Sequence, residues 1–182
     1  MSPEIIQRMS GMDSPEPYLA ELPLPPPSPL TNPQYQKVLA LDGVNDPGNL
    51  GTLIRTGLAL DFDAVYLTDT CVDLFNDKAI RAAKGSTFIL PYNTGSPLDL
   101  WKLIDHQNFH AYTGDMDGTS LKEMTFQTPL VLIMGNEALG PSILSKQRAH
   151  AVTIPLSSQV NSLNVAVAGG ILMNSVQNQI GS

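Results

Sequence analysis

The chain has 182 residues, 42% of them hydrophobic and 15% charged, a size and balance that fit one domain with a sizeable core. No apolar run reaches the roughly 18 residues of a membrane-spanning helix, and a formal net charge of −7 argues against non-specific nucleic-acid binding unless basic residues are gathered locally. Cys71 is the only cysteine, which excludes an internal disulfide and fits a reducing, cytoplasmic setting, and His106, His110 and His150 lack zinc-ligand spacing, so no metal is expected.

The chain opens on an arm. Nine of the fifteen prolines fall within residues 1–36, including Pro25, Pro26 and Pro27 in succession, and such a stretch offers few backbone donors to regular structure. An extended arm or linker is expected there, followed by a folded domain over 37–182. The arm carries Glu4, Asp13, Glu16 and Glu21 against Arg8, which is neither a secretory signal nor an Arg-rich transit peptide. From 37 onward, apolar runs of strand length alternate with helix-length segments. Strands are expected over 37–41, 64–68, 87–90, 109–113, 129–134 and 151–154. Helices are expected over 49–60, 77–84, 97–106, 141–147 and 162–177. Strands separated by helices of this length make βαβ units, so the expected fold class is α/β, a mostly parallel sheet flanked by helices. Such sheets bind ligands beyond the carboxyl ends of their strands.

Three strand-end segments carry polar side chains against an apolar background. After the first strand comes Asn45-Asp46-Pro47-Gly48-Asn49-Leu50-Gly51, leading into a helix with Leu50, Leu53, Ile54 and Leu58 on one side. Asn49, Thr52, Arg55 and Thr56 fan over roughly 120° of the other side. An Arg beside an Asn and two Thr suits a phosphate or carboxylate, and equally a capped amphipathic helix with a surface Arg. After the strand 129–134, Gly135-Asn136-Glu137 precedes Gly140-Pro141. Gly135 permits close backbone approach to a ligand. Glu137 suits a ribose or amino hydrogen bond, or simply complements a helix start. The third segment runs from Ile154-Pro155 through a polar loop to Ser162-Leu163-Asn164 at the mouth of an Ala- and Gly-rich helix. Neither a G-x-G-x-x-G loop nor a P-loop is present, and no G-x-S-x-G elbow occurs. Groups of this kind position a substrate against a cofactor that brings its own chemistry.

In this order and spacing the three segments resemble the motifs of the SpoU/TrmH family of RNA 2′-O-ribose methyltransferases, within the SPOUT superfamily, over residues 37–177. The resemblance implies S-adenosylmethionine as methyl donor, a SPOUT-type fold with a C-terminal trefoil knot, and a homodimer. It implies cofactor contacts at Gly135, Ile154 and Leu163, with Met134 and Asn136 beside them. Catalytic or substrate-binding positions match Asn49, Arg55, Glu137, Ser162 and Asn164. Because a guanidinium stays protonated in proteins, Arg55 is expected to clamp a phosphate and stabilise negative charge on the 2′-oxygen. Methyl transfer to the ribose of rRNA or tRNA is the function implied. The alternative is a non-catalytic knotted paralogue that binds RNA or protein.

The acidic charge is less of an obstacle than it first looks, because residues 1–36 contribute −3 of the −7. Lys78, Arg81 and Lys84 fall within roughly 120° of one helix face. With Arg55 they are the candidate RNA contacts; a plain solvated face is the other reading. Many relatives in the family carry a folded N-terminal RNA-recognition domain, where this chain has the Pro-rich arm.

Overall fold

The computed structural model describes residues 3–14, 18 and 20–180. Glu16, Pro15 and Pro17 of the arm lie outside the described residues. Six strands form one sheet: β1 (Lys37–Asp42), β2 (Ala64–Thr68), β3 (Tyr92–Gly95), β4 (His110–Ser120), β5 (Leu130–Gly135) and β6 (His150–Thr153). Their order is β3-β2-β1-β5-β4-β6, and every pairing is parallel. Two-sided burial follows from side-chain alternation in β1 and β5. Leu39, Leu41, Leu130, Leu132 and Met134 enter one core with α2 (Pro47–Ala59), α3 (Asp77–Ala83) and α6 (Val165–Ile180). Val38, Ala40, Val131 and Ile133 enter the other, against α4 (Pro97–Gln107) and α5 (Ile143–Arg148). Near-continuous apolar strands are what a parallel sheet covered on both faces requires.

The arm departs from expectation. Residues Pro3–Ser10 form a helix, α1, with proline only at its first position, where no backbone donor is missed. Further on the arm is extended but docked. Ser28 N–H donates to Tyr92 O at 2.7 Å, Tyr92 Oη donates to Pro25 O at 2.8 Å, and Leu30 is buried in the α4 core.

The strand expected at 87–90 is absent. Lys84 and Gly85 both have left-handed φ, at 51° and 91°, and turn the chain into a 3-10 turn over Ser86–Phe88. The edge strand forms later, at β3. An apolar Thr-Phe-Ile-Leu run has strand-like propensity, but the preceding turn aims it away from the sheet, and Ile89 is exposed. The last helix starts at Val165 rather than 162, leaving Ser162 and Asn164 in the loop before it.

Candidate active site

Three loops meet at the carboxyl ends of β1, β5 and β6, around the point where β5 lies between β1 and β4. The β1 loop turns at Gly43, whose φ is 79°. It then enters α2 through Asp46, whose carboxylate accepts from Asn49 N–H at 2.7 Å, with Pro47 in the first turn. Glu137, from the β5 loop, clasps this turn. Its carboxylate accepts from Asp46 N–H at 3.0 Å and Asn45 N–H at 3.2 Å, and from Asn49 Nδ2 at 3.1 Å.

Asn49 hands the network to the third loop. Its Oδ1 accepts from Asn164 Nδ2 at 2.9 Å, while Asn164 Oδ1 caps α6 by accepting from Ala166 and Val167 N–H. Each amide orientation in this chain is dictated by its neighbour. An ionised carboxylate only accepts and helix N–H groups only donate, so both amides must point the way they do. Burial would push the Glu137 carboxyl upward, but the Asn49 amide and the backbone N–H groups of Glu137, Asp46 and Asn45 outweigh it and hold the pKa below its usual range.

Beside this chain lies a cavity of about 350 Å³. Met134, Gly135, Asn136, Ile154 and Leu163 all line it, with Leu172 of α6 contributing to its apolar wall. A second hollow, lined by Asp46, Asn49, Glu137, Ser162 and Asn164, shares Glu137 and Ser162 with the first. The Asn136 side chain is occupied internally. Its Nδ2 donates to Gly43 O at 2.8 Å and its Oδ1 accepts from Ala138 and Leu139 N–H, while its backbone N–H and C=O pair with Gly140, so Asn136 braces the turn that walls the cavity. Ser162 makes no side-chain hydrogen bond among the described residues, and its hydroxyl is available.

Arg55 stands apart. It is exposed on α2, lines neither hollow, and makes no hydrogen bond or ion pair among the described residues. Helical rise puts it about 9 Å along the axis from Asn49. Thr56, expected beside it as a polar partner, donates its hydroxyl to Thr52 O instead. Lys78, Arg81 and Lys84 are all exposed on or just after α3, although Arg81 is paired with Asp77 at 2.9 Å. Among the described residues no three His, Cys, Asp or Glu side chains gather as a metal site would need.

Residues 36–174 match the model of the SpoU rRNA Methylase family. The chain belongs to that family. A relative, the 23S rRNA (guanosine(2553)-2′-O)-methyltransferase RlmP of Bacillus subtilis, is 41% identical over 76% of this chain and 56% of its own length. An uncharacterized tRNA/rRNA methyltransferase of Synechocystis is 32% identical over 98% of this chain and 66% of its own. The chain thus spans between about half and two thirds of these curated relatives. The crystal structure of an AdoMet-bound rRNA methyltransferase from Sinorhizobium meliloti superposes with a TM-score of 0.88 at 28% identity, covering 100% of this chain and 71% of that one.

Within this SpoU family site, sequence reasoning missed Asp42, Asp46, Asp115 and Lys146. Asp46 carried a readable signal, an acid immediately before a helix-starting proline. Asp42 is buried at the end of β1, accepting from Ser142 N–H at 3.2 Å and Ser145 Oγ at 2.8 Å, which ties the first motif to the second. Asp115 and Lys146 face each other across the cavity rim only because of how β4 bends, and nothing in their spacing foretold it.

Proposed function

We propose that this protein transfers a methyl group from S-adenosylmethionine to a ribose 2′-hydroxyl of rRNA or tRNA. The observation that carries the reading is the chain Asn164–Asn49–Glu137, which joins three distant motifs at the lip of a small-molecule cavity. The cavity volume lies in the usual range of ligand sites, ~300–1,000 Å³. Its lining mixes apolar walls with strand-end backbone, which suits a flat heterocycle joined to a polar tail. The 2′-O-methyltransferase relative and the AdoMet-bound structural neighbour support the same chemistry. Residues 37–182 are then the methyltransferase domain and 1–36 its arm.

The cofactor supplies an activated methyl group, so the protein's task is positioning. Backbone around Gly135, Ile154 and Leu163, over Met134 and beside Asn136, would hold it. The free Ser162 hydroxyl would orient the ribose, while Asn164, Asn49 and Glu137 fix the loops that carry it. Arg55, unpaired on α2, would grip a phosphate and stabilise charge developing on the 2′-oxygen. Holding the oxygen in line accounts for most of the acceleration. Lys78 and Lys84, with Arg81 partly neutralised by Asp77, would extend the RNA contact, which salt should weaken.

A homodimer and the C-terminal trefoil knot belong to the same reading. Val167 and Ile171, one turn apart on α6, are exposed at 53% and 38%, an apolar face suited to a second copy. The chain returns from the outer strand β6 through 154–164 to α6, which packs against α2, and a knot would be tied in this segment. A location in the cytoplasm is consistent with it, and among the described residues no helix is long and apolar enough to cross a membrane.

The deciding experiment is transfer of radiolabel from S-adenosylmethionine to total RNA lacking its native modifications. Wild type should label RNA, and Arg55→Ala should lose about a hundredfold or more, as for a group that stabilises the transition state. Arg55→Lys should rescue little, because the planar fork is lost. Cofactor binding without any transfer by wild type would instead favour a non-catalytic RNA- or protein-binding paralogue.

A further inference from the structure

The cavity rim carries one acid–base pair that the reaction as described does not use. In the β4–β6 ladder both Gly114 and Thr119 pair with Val152, so residues 115–118 loop out of the sheet. Both ends of this bulge are pinned. A Cβ at Gly114 would sit 3.1 Å from Leu172 Cδ1, and one at Gly118 would sit 2.4 Å from the Ala151 carbonyl carbon. Bulges of this kind re-aim side chains next to sites, and this one turns Asp115 inward.

The Asp115 side chain is 16% exposed. Its Oδ1 accepts from Asp117 N–H at 3.2 Å. Its Oδ2 faces Lys146 Nζ at 3.6 Å, an ion pair too long to be a hydrogen bond. Lys146 lies on α5, whose start is anchored by Ser142 and Ser145 on the buried Asp42. A largely buried carboxylate that accepts one backbone N–H and holds its cation only loosely keeps acceptor capacity on Oδ2 for a ligand. Both residues line the 350 Å³ cavity.

We propose that Asp115 and Lys146 recognise the amino-acid end of the cofactor, Asp115 accepting from its α-ammonium and Lys146 donating to its α-carboxylate. The exchange replaces one loose ion pair by two charge-assisted hydrogen bonds. It requires two fixed walls carrying opposite charges, which the pinned bulge and the anchored helix supply. The inference rests on the cofactor reading of the cavity.

The test compares two ligands by calorimetry. S-adenosylhomocysteine keeps the amino-acid end, and 5′-methylthioadenosine lacks it. Asp115→Asn and Lys146→Gln should each weaken S-adenosylhomocysteine about tenfold or more, as loss of a hydrogen bond to a charged group predicts. Both should leave 5′-methylthioadenosine within about twofold. Equal losses for the two ligands would mean that the pair only braces the cavity, and no loss would mean that it faces away; either overturns the proposal while the cofactor reading stands. Wild type binding neither ligand would overturn both. Should Asp115→Asn fail to fold, as judged by circular dichroism, the half-exposed Lys146→Gln carries the test alone.

Discussion

Asn49 occupies the middle of a directional chain, with its amide nitrogen on Glu137 and its amide oxygen on Asn164. Replacing it by alanine leaves both neighbours one bond short. Replacing it by aspartate, though isosteric, sets a second carboxylate against Glu137 at hydrogen-bond distance and so should be worse. Transfer rates should therefore fall in the order wild type, Asn49→Ala, Asn49→Asp, and a faster Asn49→Asp enzyme would refute the directional chain. Glu137 also sets a pH limit. Its folded pKa is lowered, so its hold on the 45–46 turn is full above the ordinary Glu value of 4.5 and is lost as pH falls through the lower, folded value. Cofactor-analogue affinity measured downward from pH 6 should stay flat across the ordinary carboxylate range and drop only below it. The residue types of this network were legible in the sequence: Asn, Glu and Ser after apolar strands have few other reasons to be there. Their partners were not legible, because a hydrogen bond between Asn49 and Asn164 is decided by how two helices dock. Arg55 shows the opposite case, where helical spacing placed it on the polar face of α2 and the fold left it outside both hollows.

Helix contacts explain where glycine is mandatory. A Cβ at Gly51 would lie 2.2 Å from Ala79 O and 2.8 Å from Ala83 N, both backbone atoms of α3. Alanine in a helix normally gains about 1 kcal/mol over glycine, yet here the two helices would have to separate. Overpacking of this kind costs about 1–3 kcal/mol or more. Gly51→Ala should therefore lower the midpoint of urea unfolding, and an unchanged or raised midpoint would show that α3 yields freely. Most elements were legible from periodicity, including β2 at its exact ends and α4 to within one residue. The 87–90 run was not, since its apolar pattern fits a strand and only the paired left-handed residues before it turn the chain away. The bulge in β4 was equally hidden, because a period-two pattern does not reveal that four residues leave the ladder.

At the scale of the molecule, parallel strands with alternating helices were readable, whereas the order β3-β2-β1-β5-β4-β6 was not. No local signal says that β5 inserts between β1 and β4, although that insertion is what brings Gly135–Glu137 beside Asn45–Asn49. The Pro-rich arm was legible in composition but not in its docking along β3, which depends on Leu30 finding the α4 core. The long reach of the Asn49–Asn164 bond, 115 positions along the chain, has a consequence for biosynthesis. A nascent polypeptide that has left the ribosome through β6 already owns every strand of the sheet, yet its Asn49 has no amide to meet and its cavity lacks the α6 wall. Competence to hold a ligand thus arrives with the final helix, so ligand occupancy reports that synthesis has run through to α6.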